Sequence, residues 1–273
     1  MLRFKLSLKK LSWLSFALLL LAIGCKTVPI TGRKKLSLVS DAQVNAMSFQ
    51  QYDQVINESQ LSSNSAQVAM IKRVGGRIQK AVEEHLNSVG QGAMLADFAW
   101  EFNLIESDQV NAWCMPGGKV AFYTGIMPIC KDEAGVAVVM GHEVAHAIAG
   151  HGAERMSQQA MAQFGQQALA IATAAESPEA QALYMTAFGL GAQFGVLLPF
   201  SRTHESEADE MGLIFMAMAG YDPREAPKFW ERMAAMGGQK PPEFMSTHPA
   251  DERRIADLNA QMASALKYYK PQP

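Results

Sequence analysis

The sequence predicts an α+β fold that is predominantly helical, with a small antiparallel sheet beside one central helix. Apolar residues recur at helical spacing over long stretches, as at 41–57 and 66–89. They alternate instead within 98–106, where a strand is predicted. Residues 111–115 and 119–124 flank a Pro-Gly-Gly turn and complete the predicted sheet. The chain has 273 residues, 49% of them hydrophobic, which is enough for one large domain with its own core.

The first 24 residues have the pattern of a secretory signal peptide. Basic residues precede an uncharged stretch from Leu11 to Gly24, which is too short to cross a bilayer comfortably as a permanent anchor. The stretch ends in Leu21-Ala22-Ile23-Gly24-Cys25, which is similar to a bacterial lipoprotein processing site. We therefore expect cleavage before Cys25 and lipidation of its thiol, with plain secretion as the alternative.

This cleavage divides the chain into a signal peptide at 1–24, a lipidated tether at 25–40 and a folded domain at 41–270. The tether has few apolar anchors. Lys26 follows the cysteine in place of the aspartate that is typical of inner-membrane retention. The expected location is therefore the bacterial periplasm, with a lipid anchor in a membrane and the outer membrane favoured.

The charge balance argues against nucleic-acid binding. Removing residues 1–24 takes away four of the 24 basic residues and none of the 26 acidic ones, so 20 basic residues remain and the formal charge is −6. Arg33-Lys34-Lys35 is the one basic run that is left. A nucleic-acid interface requires a larger basic surface, so we expect no such partner.

His142-Glu143-Val144-Ala145-His146 carries the clearest chemical signal in the chain. The surrounding residues predict a helix that starts at the N-cap Asp132 and ends at Gly150. Residues four apart lie on one face of a helix, so both imidazoles can bind a single metal ion. Glu143 then projects beside the ion, where a base can take a proton from metal-bound water. An accidental match on a buried helix is the alternative.

A third ligand is predicted in a second helix, which should begin after Pro199 and end at Gly220. Glu205 and Asp209 lie four apart on one face of this helix, and two carboxylates at that spacing repel each other. A metal bound by Glu205, with Asp209 holding the far nitrogen of a ligating histidine, would remove the repulsion. A solvated acidic helix start is the alternative.

Three polar residues near these motifs are predicted to lie outside the site. His151 follows the Gly150 stop and should hydrogen-bond to neighbouring backbone. Glu207 points off the face shared by the two carboxylates and should be solvated. His204 is expected to be an exposed neighbour.

The two motifs together resemble those of a known family. His142-Glu143-x-x-His146 followed by Glu205-x-x-x-Asp209 is similar to the HtpX/BepA/LoiP-type zinc metallopeptidases, relatives of the CAAX prenyl endopeptidases. Segments 29–33, 111–118, 151–155 and 247–249 resemble the periplasmic lipoprotein members as well. The resemblance implies a zincin-like metallopeptidase domain at 41–270 with one Zn²⁺ per chain. It implies that His142, His146 and Glu205 are the zinc ligands and that Glu143 is the catalytic base. Asp209 would then be the carboxylate that holds a ligand histidine.

The resemblance also assigns two residues near the C-terminal end of the chain. In relatives, the loop that matches His248 approaches the zinc and can occupy the water position, so His248 is expected to act as a switch. Arg253 is a weaker candidate for contacting substrate.

The function that the resemblance implies is zinc-dependent cleavage of misfolded or unassembled periplasmic and outer-membrane proteins. A strand within 111–124 would pair with such an extended polypeptide by main-chain hydrogen bonds. The alternative is a chaperone or assembly factor for outer-membrane proteins with secondary peptidase activity, partnered with the outer-membrane assembly machinery. A purely structural zinc lipoprotein is disfavoured, because a structural site has no use for a base such as Glu143.

The residues alone leave two further features open. Cys114 and Cys130 either form a disulfide in an oxidising compartment or remain two buried thiols, and we expect the disulfide. Residues 156–175 and 180–198 carry no charged side chain. A buried helix hairpin is favoured for them over a membrane span.

Overall fold

The computed structural model describes residues 25–236, 243–248 and 252–271, and the expected signal peptide lies outside them. The described chain is mostly helical and has two small sheets, which confirms the α+β class. The helices are α1 (Asp41–Glu58), α2 (Ser65–Ser88), α3 (Met127–Cys130), α4 (Glu133–Ala149), α5 (His151–Ala172), α6 (Pro178–Ala192), α7 (Leu198–Met218), α8 (Glu225–Ala235), α9 (Glu243–Thr247) and α10 (Glu252–Ala265). The strands are β1 (Cys25–Thr27), β2 (Lys34–Leu36), β3 (Glu101–Ile105), β4 (Ala112–Met115) and β5 (Lys119–Tyr123).

The larger sheet has the strand order β3-β5-β4 and is mixed. Strands β4 and β5 form the expected antiparallel hairpin, whose turn uses Gly117 and Gly118 at a φ of 84° each. Strand β3 runs parallel to β5, so the prediction of a wholly antiparallel sheet is wrong. The cause is that β5 inserts between β3 and β4, and β3 therefore pairs with the second strand of the hairpin. This order leaves β4 at an edge of the sheet.

Helix α4 begins and ends where the sequence predicts. The Asp132 side chain caps it by accepting a hydrogen bond from the backbone N–H of Gly135 at 3.0 Å. Gly150 ends it in the left-handed conformation, with a φ of 68°. The helix is hydrophobic around nearly its whole circumference, and most of its residues are buried. It is therefore the core helix of the domain.

Two glycines allow α4 and α7 to touch through their backbones. A Cβ on Gly212 would lie 2.9 Å from the backbone nitrogen of His142, and one on Gly141 would lie 2.8 Å from the carbonyl oxygen of Gly212. Both distances are too short for a real Cβ contact. The crossing point lies beside His142 on one helix and one turn after Asp209 on the other. The glycines thus bring the two predicted ligand-bearing helices to their closest approach at the motifs.

Helix α7 begins at Leu198, so Pro199 does not separate it from the preceding apolar segment as predicted. A π-helical turn, Gln193–Leu197, joins α6 directly to α7. Pro199 lies inside this helical stretch, directly after the π-helical turn, where the regular hydrogen-bond ladder that proline cannot complete is already interrupted. Pro178–Met218 is consequently one helical stretch of 41 residues.

The uncharged segments form an exposed helix pair, which we call the apolar arm (residues 156–198). The prediction of a buried hairpin is wrong, because no residue of α6 is buried. Large apolar side chains face solvent along the arm, among them Phe164 (74% exposed), Ile171 (79%), Leu183 (68%) and Phe194 (62%). By length and composition, Pro178–Met218 could cross a membrane, and none of its most apolar window is buried within the chain.

The segment expected to be a tether is packed against the domain. Strands β1 and β2 form a hairpin, in which Val28 is 1% exposed and Lys35 is 7% exposed. The Lys35 ammonium donates a hydrogen bond to the carbonyl oxygen of Ala149, at the C-terminal end of α4. The polar contact of Lys35 fixes the hairpin to the domain, and the apolar periodicity of the sequence does not reveal a contact of this kind.

Both remaining cysteines are free thiols, so the predicted disulfide does not form. Cys114 lies on β4 opposite Val120 and borders a cleft, whereas Cys130 is fully buried at the end of α3. A short 3₁₀ turn, Thr124–Ile126, separates β5 from α3. Proximity in sequence therefore does not become proximity of the two sulfur atoms.

We predict that Gly212→Ala destabilises the protein because its methyl group pushes α7 away from α4. Overpacking of this kind costs about 1–3 kcal/mol of unfolding free energy. Gly76→Ala is the matched control, since Gly76 lies on α2 and a Cβ at that position would meet no atom within 4 Å. That change should stabilise the helix by about 0.5–1 kcal/mol. Urea unfolding followed by circular dichroism measures both, and an unchanged midpoint for Gly212→Ala would contradict the crossing argument.

Candidate metal centre

Four side chains converge where α4, α7 and the residue after α9 meet. His142, His146, Glu205 and His248 each offer a ligand atom, and these atoms all lie within 4.8 Å of one another. The Nε2 atoms of His142 and His146 are 3.1 Å apart. Each of them lies 3.4 Å from an oxygen of Glu205, His142 from Oε2 and His146 from Oε1. The sequence-predicted ligand set is thus assembled in space.

The spacing of these atoms suits zinc. Ligands about 2.0–2.1 Å from a tetrahedral ion lie roughly 3.3 Å from each other. Two imidazole nitrogens and one carboxylate are also a donor set found in catalytic zinc sites, which keep a fourth position open. The residues present therefore fit a zinc ion held by His142, His146 and Glu205.

His248 lies in the same cluster, as the resemblance implies for its loop. Its Nδ1 is 2.8 Å from Glu205 Oε2 and 3.1 Å from His142 Nε2. Its Nε2 is 3.4 Å from Glu143 Oε1. The imidazole thus lies between the expected ligands and the expected base.

Glu143 is buried, with 3% of its surface exposed. Its Oε1 atom has no hydrogen-bond partner among the described residues, which is costly for a buried carboxylate. Burial raises the pKa of Glu143 above its ordinary value. A buried carboxylate oxygen without a hydrogen bond, beside a metal-ligand cluster, fits a base that accepts a proton from water.

Glu205 is held in its ionised form. Burial acts to raise its pKa, but hydrogen bonds with His142, His146 and His248 outweigh burial and hold the pKa far below its ordinary value. A carboxylate must be deprotonated to bind a metal, so Glu205 is ready to act as a ligand.

Asp209 lies behind His142, where the sequence predicts it. Its Oδ1 is 2.9 Å from His142 Nδ1, the nitrogen that faces away from the ligand cluster. Asp209 also accepts a hydrogen bond from Arg254 Nη2 at 2.6 Å. The guanidinium of Arg254 lies 3.5 Å from the centre of the Trp230 ring. This packing fixes the arginine and, through it, the carboxylate.

Arg254 is buried and holds Asp209, whereas its neighbour Arg253, the residue predicted to contact substrate, is exposed. Arg253 lines a separate cavity of about 200 Å³ that Glu205 and Asp209 also border. Arg254 could have been found from helical spacing, since it lies four residues before Leu258, which is 1% exposed. That spacing identifies the inner face of α10.

His151 is not bonded to neighbouring backbone, so that prediction is wrong. Its Nδ1 lies 2.8 Å from His146 Nδ1, and its Nε2 lies 2.9 Å from Glu207 Oε2. The left-handed Gly150 changes the chain direction between α4 and α5, and the His151 ring lies against His146 in the last turn of α4. The prediction extended α4 in a straight line and therefore placed His151 elsewhere.

Glu207 and His204 are also buried, at 5% and 2% exposure, contrary to the sequence prediction. Glu207 accepts a hydrogen bond from Arg33, and His204 lies 2.9 Å from Glu154. Helix α5 and the β1–β2 hairpin cover this side of α7, which no local pattern in the sequence announces.

In the buried network around Arg33, Glu154 and Glu207 are ionised and His151 is neutral. Burial acts to raise the pKa of Glu154 and of Glu207, but hydrogen bonds from His204 or His151 and from Arg33 lower both to about 2. Burial lowers the pKa of His151 to about 4, despite its hydrogen bond with Glu207. Arg33 is therefore the cation that balances the two carboxylates.

A cleft of about 540 Å³ opens beside the cluster. One wall comes from the edge strand β4 and the residue before it, and the other comes from α4. The residues that define the reactive end are Asn111, Trp113, Cys114, Glu143, His146 and His248. An extended chain lying along β4 would thus pass the Glu143 carboxylate.

Comparison with known proteins gives a consistent set of relatives. The profile of peptidase family M48 matches residues 73–262, a span that contains the whole ligand cluster. The mitochondrial metalloendopeptidase OMA1 of Schizosaccharomyces pombe is 35% identical over 243 residues, covering 87% of this chain and 66% of that protein. The human OMA1 protein is 29% identical over 248 residues, with 88% and 46% covered.

A bacterial protein is similar to the same degree. The beta-barrel assembly-enhancing protease of Escherichia coli is 29% identical over 245 residues, covering 86% of this chain and 47% of that protein. The chain spans about half the length of the human and E. coli relatives and 66% of the S. pombe protein.

Proposed function

The chain belongs to peptidase family M48, and on that premise we propose that it is a zinc-dependent endopeptidase. The observation that carries the proposal is the buried Glu143 carboxylate beside the His142, His146 and Glu205 donor set, with one oxygen that makes no hydrogen bond among the described residues. A structural metal site is closed and has no adjacent base, whereas Glu143 lies beside this donor set and lines a cleft. A base at the edge of an open cleft has a role only if a reaction takes place there.

The chemistry divides between the ion and the protein. When bound, zinc polarises the scissile carbonyl and makes the attacking water more acidic. Glu143 takes the proton from that water and later gives it to the leaving amine. The raised pKa of Glu143 suits both roles, because a carboxyl with a pKa nearer neutrality is a better proton donor in the second step. Asp209 keeps His142 in the orientation that metal binding requires.

The proposed substrate is an extended polypeptide without strong sequence preference. Strand β4 lies at the sheet edge and borders the cleft, so its free side can pair with a substrate strand by main-chain hydrogen bonds. Such pairing requires an unfolded segment. Misfolded or unassembled periplasmic and outer-membrane proteins supply segments of this kind, and they are the proposed clients.

We also propose that the protein acts at a membrane of the bacterial envelope, attached through Cys25, with the outer membrane favoured. The sequence up to Cys25 supports a lipidated lipoprotein, and the exposed apolar arm adds a surface that water solvates poorly. The E. coli relative, which is named for β-barrel assembly, supports a location in the bacterial envelope. The mitochondrial relatives show that the family is not confined to bacteria.

An assembly factor for outer-membrane proteins is the second candidate function. The exposed apolar arm favours it, because a chaperone needs apolar surface to hold an unfolded client. The name of the E. coli relative points the same way. In this case the outer-membrane assembly machinery is the proposed partner, and peptidase activity is secondary.

The first prediction of this proposal concerns the base. Glu143→Gln should lower the rate of casein cleavage by about 10²–10⁴-fold, because general acid–base catalysis contributes that much. The zinc content measured by elemental analysis should stay at one ion per chain, since Glu143 is not a ligand. Glu84→Gln, an exposed change on α2, is the matched control.

Two results would count against the peptidase. Cleavage that persists in Glu143→Gln and survives chelation would come from another enzyme. If the variant protects unfolded outer-membrane proteins from aggregation as well as the wild type does, while neither protein cleaves them, the assembly-factor function is the correct one.

The second prediction concerns the switch. His248 occupies the space between Glu205 and Glu143, so it competes there with water and substrate. His248→Ala should therefore raise peptide turnover and speed the loss of zinc to a chelator, whereas His85→Ala, on α2, should change neither. Unchanged turnover and unchanged zinc loss in His248→Ala would refute the switch.

The third prediction concerns the anchor. Cells that express the full chain should incorporate labelled palmitate into it, and Cys25→Ser should abolish the label. Cys114→Ser, which removes a different free thiol, should retain it. Equal labelling of wild type and Cys25→Ser, or no labelling of either, would rule out lipidation at Cys25.

A further inference from the structure

We propose that Arg33, between β1 and β2, is a positioning residue for the metal ligand His146 and acts on it through Glu207 and His151. The inference rests on the proposed function, because Arg33 would orient a ligand of the same metal centre. It gives the N-terminal hairpin a role in zinc binding in addition to any role as a tether.

The four side chains form a continuous row of polar contacts. His146 Nδ1 lies 2.8 Å from His151 Nδ1, and His151 Nε2 lies 2.9 Å from Glu207 Oε2. Arg33 Nε donates to the same Glu207 oxygen at 2.8 Å. His151 and Glu207 are only 1% and 5% exposed, so water does not compete for these contacts.

The chemistry of each group fixes where the hydrogens of this row lie. A neutral imidazole that binds a metal through Nε2 carries its hydrogen on Nδ1. His146 then donates from Nδ1 to His151 Nδ1, which leaves His151 with its hydrogen on Nε2. That hydrogen faces Glu207, and an ionised carboxylate only accepts. A single assignment therefore satisfies every member and leaves the Nε2 lone pair of His146 for the ion.

Arg33 holds the outer end of the row because two buried carboxylates meet there. Its Nη1 and Nη2 donate to the two oxygens of Glu154 at 2.9 and 2.7 Å, while Nη2 also lies 2.7 Å from Glu207. Thr31 donates to the other oxygen of Glu207 at 2.5 Å. Without the guanidinium, Glu154 and Glu207 would repel each other, and Glu207 would lose the contacts that aim it at His151.

The other ligand histidine has a similar but shorter support. His142 Nδ1 lies 2.9 Å from Asp209, and Arg254 donates to that carboxylate at 2.6 Å. In both cases the far nitrogen of a ligand histidine leads to a carboxylate that an arginine holds. The row from His146 differs by one inserted imidazole, His151, and by the origin of its arginine in the N-terminal hairpin.

The test measures the zinc affinity of the full-length chain by competition with a chromophoric chelator. Arg33→Gln should weaken zinc binding by about 10- to 100-fold, the usual effect of losing a group that orients a metal ligand. Arg73→Gln is the matched control, because its hydrogen bond to Glu133, at 2.7 Å, is exposed and lies outside the row. The control should bind zinc as tightly as the wild type.

A double variant separates a brace from a general structural role. His151→Phe cuts the row between Arg33 and His146, so adding Arg33→Gln to it should cause little further loss of zinc affinity. Two losses that multiply in the double variant would overturn the proposal, as would an unchanged affinity in Arg33→Gln. If circular dichroism shows that Arg33→Gln does not fold, Thr31→Val replaces it, with a smaller loss expected and the same comparison against His151→Phe.

The outcome is distinguishable from failure of the proposed function. A wild-type chain that binds zinc and cleaves no polypeptide refutes the peptidase, while the affinities of the variants still decide the role of Arg33. If the protein is a peptidase and Arg33→Gln leaves its zinc affinity unchanged, only the positioning role of Arg33 is refuted.

Discussion

The backbone contact between α4 and α7 is the constraint on which the metal centre depends. Gly141 and Gly212 leave no room for a Cβ on either helix, so the axes approach more closely than side chains normally allow. At this separation His142 reaches Asp209, and Glu205 reaches both histidines. A wider separation would break these contacts together, because all of them cross the same helix pair.

The two ends of the described chain each support one of the ligand histidines. The N-terminal hairpin supplies Arg33, which holds Glu207 and, through His151, His146. Helix α10 supplies Arg254, which holds Asp209 and thereby His142. Both arginines neutralise carboxylates that burial would otherwise destabilise. The ligand helices come from the middle of the sequence, but their orientation depends on residues that lie far from them in the chain.

The parts of the site that follow from local rules could be predicted, and the parts that follow from long-range packing could not. The cap at Asp132, the stop at Gly150 and the i, i+4 spacing of His142 with His146 are properties of one helix. The burial of Glu207 depends on a hairpin 174 residues away in sequence. The parallel pairing of β3 with β5 likewise depends on which strand inserts between the others, and alternation of apolar residues is the same in either case.

The apolar arm shows why composition alone misjudged one segment. A helix that is apolar on all sides needs cover, and the prediction assumed that the cover came from the same chain. In the structure no residue of α6 is buried, so the described part of the chain does not supply that cover. The arm begins within the helix that starts at His151, and it continues without a loop into the helix of Glu205. The arm is therefore part of the same helical stretch as Glu205, and it follows the C-terminal end of the helix that carries His142 and His146.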